Sequence, residues 1–266
     1  MQYGMIIDLE RCVGCHACTI ACKAEWEVPV ANGRNWVNRL GPTMTPEGLA
    51  STYYPGLCNH CDAPLCVEAC PADQVEMTFT DAKSGKTKTL TVAATWKDPF
   101  DGTVQIDKER CLGCGACADA CPYGARYVNP DLADDNSMGK ADKCTYCKPR
   151  VEAGLDPACV QTCIAGARIF GDLDDPNSAV SKYVKKGARG IEPHGGHLGP
   201  NSRYYGNKRD ISLLFSTSTP ELADLGMTRR RAMLATLVKP SINKARDIGL
   251  LGLAGAMLVK KMSEEK

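Results

Sequence analysis

The chain has 266 residues, 44% apolar and 24% charged, which excludes a disordered or collagen-like chain and fits one or two compact domains. Lys and Arg number 32 against 31 Asp and Glu, so a nucleic-acid binder relying on a broad basic surface is excluded as well. Sixteen cysteines are dense for a chain long enough to bury an ordinary core without covalent staples, so something must be bound to them.

In chain order, a short strand ending at Ile7-Asp8 runs into a first cysteine group, Cys12, Cys15, Cys18 and Cys22, spaced C-x2-C-x2-C-x3-C, with a helix carrying its last member. Residues 23–57, punctuated by Trp26, Pro29, Trp36, Pro42, Pro46 and Pro55, read as an inserted ordered loop that covers a bound group or docks on a partner. The second group is Cys58, Cys61, Cys66 and Cys70, followed by Pro71. Val75–Phe79 and Thr87–Trp96 alternate like strands around residues 81–86, which predicts a protruding hairpin within 75–105. The third group, Cys111, Cys114, Cys117 and Cys121, repeats the spacing of the first and precedes Pro122. In the fourth, Cys144, Cys147, Cys159 and Cys163, the middle gap widens to eleven residues. Gly124-Ala125-Arg126 after the third group and Gly166-Ala167-Arg168 after the fourth read as turns into returning strands.

Residues 211–266 read as a C-terminal extension. Ser241 can cap a helix at about 241–262 whose uncharged run, Ile248 to Val259, has twelve residues and spans about 18 Å, short of a bilayer core of about 30 Å. Gly249, Gly252 and Gly255 share a face of it, which favours docking on an integral membrane subunit; burial against the chain's own surface is the alternative. Arg229-Arg230-Arg231 has the look of a twin-arginine export signal but lies near the wrong end, and no cleavable signal is expected at the N-terminus. His16 and His60 sit inside groups that already hold four thiols and read as packing residues, a hydrogen bond to a bound group being the sharper reading; His194 and His197 read as loop.

Three ligands compete for the cysteines. Disulfides link distant parts of a chain, which clusters separated by two residues do badly. Structural zinc joins two C-x2-C pairs across a dozen or more residues, a test that only the fourth group passes. Three thiolates within seven residues instead wrap one face of an inorganic cube, and a fourth, three residues on and usually before Pro, reaches a second cube. The iron–sulfur reading therefore prevails. Residues 7–22 and 106–121 agree at eleven of sixteen positions at an offset of 99, so one cluster-binding unit has been duplicated. Gly14 and Gly113 recur within it and permit close backbone approach to the sulfides.

On these residues the chain resembles the four-cluster, ferredoxin-like electron-transfer subunits of molybdopterin oxidoreductases of the dimethyl sulfoxide reductase type and related quinone-linked respiratory complexes. The resemblance covers about residues 3–210 and includes the stretch Gly171 to Ser178. It implies an α+β fold of two duplicated ferredoxin-like units with an inserted loop, a hairpin and a C-terminal helical extension. One unit would be 1–57 with 141–210, the other 58–140. It implies four 4Fe-4S clusters, held by Cys12, Cys15, Cys18 and Cys163; by Cys144, Cys147, Cys159 and Cys22; by Cys58, Cys61, Cys66 and Cys121; and by Cys111, Cys114, Cys117 and Cys70. Some relatives replace the ligand corresponding to Cys117 and hold three irons there, but this chain keeps cysteine.

Sixteen thiolates at about −16 and four oxidised cores at about +8 turn the formal +1 into roughly −7, which nearby cations such as Arg11, Arg110, Lys143 and Lys148 would offset. No activated nucleophile, paired acid and base or phosphate loop stands out, so the expected role is non-catalytic electron relay. The resemblance implies as partners a molybdopterin-type catalytic subunit and an integral membrane quinone-interacting subunit, in a membrane-associated complex for which the periplasmic face is favoured and the cytoplasmic face stays open. A quinone reductase complex fed by periplasmic multihaem cytochromes and a soluble polyferredoxin are the alternatives.

Overall fold

The computed structural model describes residues 1–230 apart from 82, 83, 136 and 229. Strand β1 (Tyr3–Asp8) enters the first cysteine group, and α1 (Ala17–Trp26) leaves it carrying Cys18 and Cys22. The segment expected as a loop folds instead into a long antiparallel hairpin, β2 (Asn35–Thr45) and β3 (Gly48–Leu57), with a bulge between Leu40 and Thr43. Gly41 and Pro42 lie in that bulge. They break the alternation by which strands are read from sequence, and the bulge absorbs them without ending the hairpin.

The second group leads into a single helical turn, α2 (Leu65–Glu68), and then to β4 (Val75–Thr80) and β5 (Thr87–Val92), which pair as the expected hairpin. Most of its side chains are exposed; Phe79 is the buried exception and packs near Trp96. The second strand stops short of Trp96. The Ala93 carbonyl accepts from Arg110 Nη2 and the Ala94 carbonyl from the Asp107 N–H, so these backbone groups bond to the next loop. Beyond them β6 (Thr95–Lys97) pairs with β7 (Val104–Ile106).

Within the third group α3 (Ala116–Asp119) is again one turn, carrying Cys117, and Cys121 lies beyond its end. The helix expected to carry the last cysteine is therefore realised in α1 but not here. Cys121 precedes Pro122, which disfavours helical backbone at the residue before it, whereas Cys22 precedes Lys23. Both returning strands form as expected: β8 (Arg126–Asn129) pairs with β9 (Lys140–Lys143), and short helices α4 (Lys148–Glu152) and α5 (Ala158–Gln161) lead to β10 (Arg168–Asp172). Gly124 and Gly166 make the preceding turns at φ +61° and +58°.

The chain continues through α6 (Ala179–Lys185), β11 (Ser202–Tyr205) and α7 (Lys208–Ser218). β1 is the centre of a three-stranded sheet, antiparallel to β10 and parallel to β11. Met5, Ile6 and Ile7 are fully buried in it, as a strand covered on both faces requires. Asn207 caps α7 by accepting from the Asp210 N–H, and Leu213 and Leu214 bury its inner face against the β2–β3 hairpin. The helix thus runs across residue 210, where the sequence reading divides core from extension. The helix expected at 241–262 lies outside the described residues. Among those described, no helix is long and apolar enough to cross a membrane.

One buried carboxylate joins several of these parts. Asp142 in β9 accepts from Arg34 Nε and Nη2 at 2.8 and 2.9 Å, from Lys108 Nζ at 2.6 Å and from Tyr127 Oη at 2.5 Å. It ties the segment before β2 and the loop after β7 to the β8–β9 pair.

Candidate metal-cluster centres

Cysteines from distant segments come together around hollows. Cys12, Cys15, Cys18 and Cys163 line one of about 390 Å³, with Val37 and Pro55 of the inserted hairpin against it. Cys22, Cys144, Cys147 and Cys159 line another of about 300 Å³, beside Trp26 and Arg34. Cys70, Cys111, Cys114 and Cys117 line a third of about 340 Å³. The remaining four gather as well: Cys58, Cys66 and Cys121 are the charged neighbours of the buried Cys61. Each quartet combines three cysteines of one group with the last cysteine of another.

Left bare, several of these thiols resist ionisation. Burial, together with the neighbouring Cys159 and Cys147, pushes the Cys22 thiol up to about 12, and burial pushes Cys159 up to about 11. A bound cationic core would supply the missing stabilisation, because it deprotonates its thiol ligands outright. Among the described residues no three His, Cys, Asp or Glu side chains are placed for a single metal ion. A zinc site would draw its sulfurs to a point at about 2.3 Å. Sulfurs standing around a hollow fit a polynuclear iron–sulfur core.

Hydrogen bonds to sulfur are already in place. Backbone N–H groups of Ala141, Tyr146 and Ala167 donate to Cys111, Cys144 and Cys163 at 3.3, 3.4 and 3.2 Å, and the Trp26 indole donates to Cys147 at 3.2 Å. Such donors delocalise thiolate charge and set cluster potentials. The repeated glycines make room for different neighbours, Gly14 for the Tyr53 ring and Gly113 for backbone. Gly113 has φ +63°, and a Cβ on it would stand 2.1 Å from the Gly139 carbonyl oxygen. Gly113→Ala is expected to destabilise the holoprotein by about 2–4 kcal/mol through positive-φ strain and this clash. Thermal denaturation checks it, and a loss under about 0.5 kcal/mol would sink the argument.

The cations differ from those expected. Lys143 is fully buried near Cys58 and Cys144, its Nζ donating to the Val104 and Cys144 carbonyls. Arg11 is exposed, while Arg110 pairs with Asp107 and Lys148 with Asp98 and Asp101, so the latter two are engaged elsewhere. Sequence reasoning missed two others, Arg126 and Arg168, each buried beside cysteines. The signal was the repeated Gly-Ala-Arg, read only as a turn. Of the histidines, His16 is exposed at the start of α1. His60 is fully buried, stacks on Tyr146 with ring centroids 3.8 Å apart, and accepts from the Val104 N–H at its Nδ1. Burial and the nearby Lys143 hold its pKa well below the ordinary value, so it packs as a neutral ring. His194 and His197 lie in a loop, His197 against Glu192.

Paired cysteine quartets on short strand–loop–helix elements define an iron–sulfur protein with clusters in pairs. Family models described as 4Fe-4S dicluster domains match residues 49–173 and 11–75. The chain is 39% identical over 210 residues to a tetrathionate reductase subunit of Salmonella typhimurium, covering 74% of this chain and 72% of that one. It is 36% identical over 185 residues to the thiosulfate reductase electron transfer subunit of Salmonella typhi, covering 69% and 81%. It is 33% identical over 228 residues to the arsenate respiratory reductase iron-sulfur subunit of a Shewanella species, covering 70% and 88%. The chain belongs to the four-cluster, ferredoxin-type iron–sulfur subunits of molybdopterin oxidoreductases. Its work is electron transfer, and its cofactors are 4Fe-4S clusters.

Proposed function

We propose that the sixteen cysteines hold four 4Fe-4S clusters in the quartets described, arranged as two duplicated ferredoxin-like units. The outer unit comprises residues 1–57 with 141–210, and the inner one 58–140. Through them the chain relays single electrons between an integral membrane quinone-interacting subunit and a molybdopterin-type catalytic subunit. The clusters supply the redox chemistry; the protein holds each one, keeps it from water and donates N–H groups to its sulfurs. The observation that carries this reading is that three separate hollows are each lined by four cysteines, three from one group and one from another. The complex is membrane-associated, with residues 241–262 docking on the membrane subunit and the periplasmic face favoured.

The ligand exchange has a direct test. Cys70→Ser is expected to remove or convert the cluster of Cys111, Cys114 and Cys117, although Cys70 belongs to the second group in sequence. Electron paramagnetic resonance of the reduced protein would show one altered cluster, with iron falling from about sixteen per chain by no more than about four. To separate the two cubes, Cys66→Ser is made in parallel and should alter a different signal. Identical spectra from both variants would overturn the assignment. Co-purification of a molybdopterin subunit and a membrane subunit tests the partners.

A further inference from the structure

We propose that Arg126 and Arg168 are fixed countercharges, each set between the two clusters of one unit and raising the reduction potentials of both. The inference deepens the ligand assignment above and rests on it. Both arginines come from the Gly-Ala-Arg that follows the last cysteine of a group, and both open a returning strand, β8 and β10. They are 5% and 3% exposed. Among the described residues neither forms an ion pair with a carboxylate. Arg126 gives Nη2 to Thr95 Oγ1 at 3.0 Å and also faces the Cys117 sulfur, while Arg168 faces the Cys18 sulfur; no nitrogen or oxygen accepts from Arg126 Nε and Nη1 or from Arg168 Nη1 and Nη2.

A guanidinium is not deprotonated in proteins, and a buried charge without a partner costs several kcal/mol. Three other basic side chains near the sites are compensated by carboxylates, and Lys143 gives its ammonium to two backbone carbonyls. Arg34 is held by Asp142, Lys148 by two aspartates and Arg110 by Asp107. Arg126 and Arg168 face thiols, and they face two quartets each. Arg126 lines the hollow of Cys70, Cys111, Cys114 and Cys117, and Cys66 and Cys58 of the other quartet are among its charged neighbours. Arg168 lines the hollow of Cys12, Cys15, Cys18 and Cys163 and also neighbours Cys159 of the adjoining one. The missing anion in each case is the thiolate-ligated cluster itself.

The consequence is electrostatic. A 4Fe-4S core with four thiolates carries about −2 when oxidised and gains one further negative charge with each electron, without a proton. A permanent positive charge favours the reduced form, so it raises the potential. Placed between two clusters it raises both, which offsets the repulsion that an electron on one exerts on an electron entering the other.

The test uses the assembled holoprotein with iron measured on every sample. Redox titration followed by electron paramagnetic resonance gives the midpoints of the four clusters in wild type, Arg126→Gln and Arg168→Gln. In Arg126→Gln two midpoints are expected to fall by at least tenfold in the one-electron equilibrium, about 59 mV each, while the other two stay. Arg168→Gln should lower the complementary two, and Arg126→Lys and Arg168→Lys should restore most of each shift. Unchanged midpoints at full iron, or all four moving alike, would overturn the proposal. If a Gln variant loses its pair of clusters, retention by the matching Lys variant supports the role of charge, and equal loss in both overturns it. Iron well below about sixteen in the wild type counts instead against the ligand assignment.

Discussion

Stripping the iron is expected to abolish the cooperative unfolding transition of this protein. The reason lies in what fills its interior. The core around the third hollow consists of Ala72, Ala94, Cys111, Cys117 and Ala141, with Cys66, Cys70 and Ile106 packed beside it. No buried member of that set is larger than cysteine. The main core likewise counts Cys18, Cys58, Cys144 and Cys159 among its members. Emptying one cavity of Leu size costs about 3–5 kcal/mol, and whole domains are stable by only about 5–15 kcal/mol. Losing the cores that three such hollows are built around removes metal–ligand bonds as well as packing, which together exceed that margin. Two unpaired guanidinium groups add to the cost. Metal binding and folding are then one event. Calorimetry of protein treated with oxidant and chelator should show no sharp peak, and near-ultraviolet circular dichroism should collapse. An apo chain that melts sharply within a few degrees of the holoprotein would refute this.

Asp142→Ala should be the most damaging substitution outside the cysteines. The carboxylate is 2% exposed and the Arg34 facing it 8%. Removing it leaves Arg34 buried without its bidentate partner, a change that costs about 3–5 kcal/mol when one half of a buried ion pair is deleted. Lys108 and Tyr127 are partly exposed and can turn to water, so Arg34 carries the penalty. Arg34 also stacks on Trp26, with its guanidinium carbon 4.5 Å from the ring centre, and Trp26 donates to Cys147. The loss should therefore reach the Cys22, Cys144, Cys147 and Cys159 quartet. Thermal melts should shift down on the order of 10 °C, with that cluster the first to bleach. A shift of a degree or two would show that the network contributes little.

How much of this was legible in the chain depends on the kind of signal. Cysteine spacing carries chemistry directly, because ligand number and reach are local, and it pointed to four groups and their cofactor. The returning strands at Arg126 and Arg168 were legible because Gly124 and Gly166 mark the turns before them. The β2–β3 hairpin was not, since Gly41 and Pro42 interrupt its pattern where a bulge later accommodates them. Arg126 and Arg168 were passed over for a different reason. Charged residues in a strand read as surface, and only the tertiary structure shows that both are enclosed. Conversely Arg110 and Lys148, adjacent to cysteines in sequence, turn to aspartates that the spacing could not reveal.

The placement of β1 also sets an order of events during synthesis. β1 leaves the ribosome long before its partners β10 and β11, which begin only at Arg168 and Ser202. The central strand of the sheet must wait for residues 168–205 before it is paired on both sides. On the ligand assignment proposed, the cluster of Cys12, Cys15 and Cys18 waits with it for Cys163. The quartets drawn from Cys58 to Cys121 have no such delay, for all their members have emerged once Cys121 is made. The ligand sets are thus completed from the middle of the sequence outward: those of the inner pair are whole once Cys121 is made, and those of the outer pair only once Cys163 has followed.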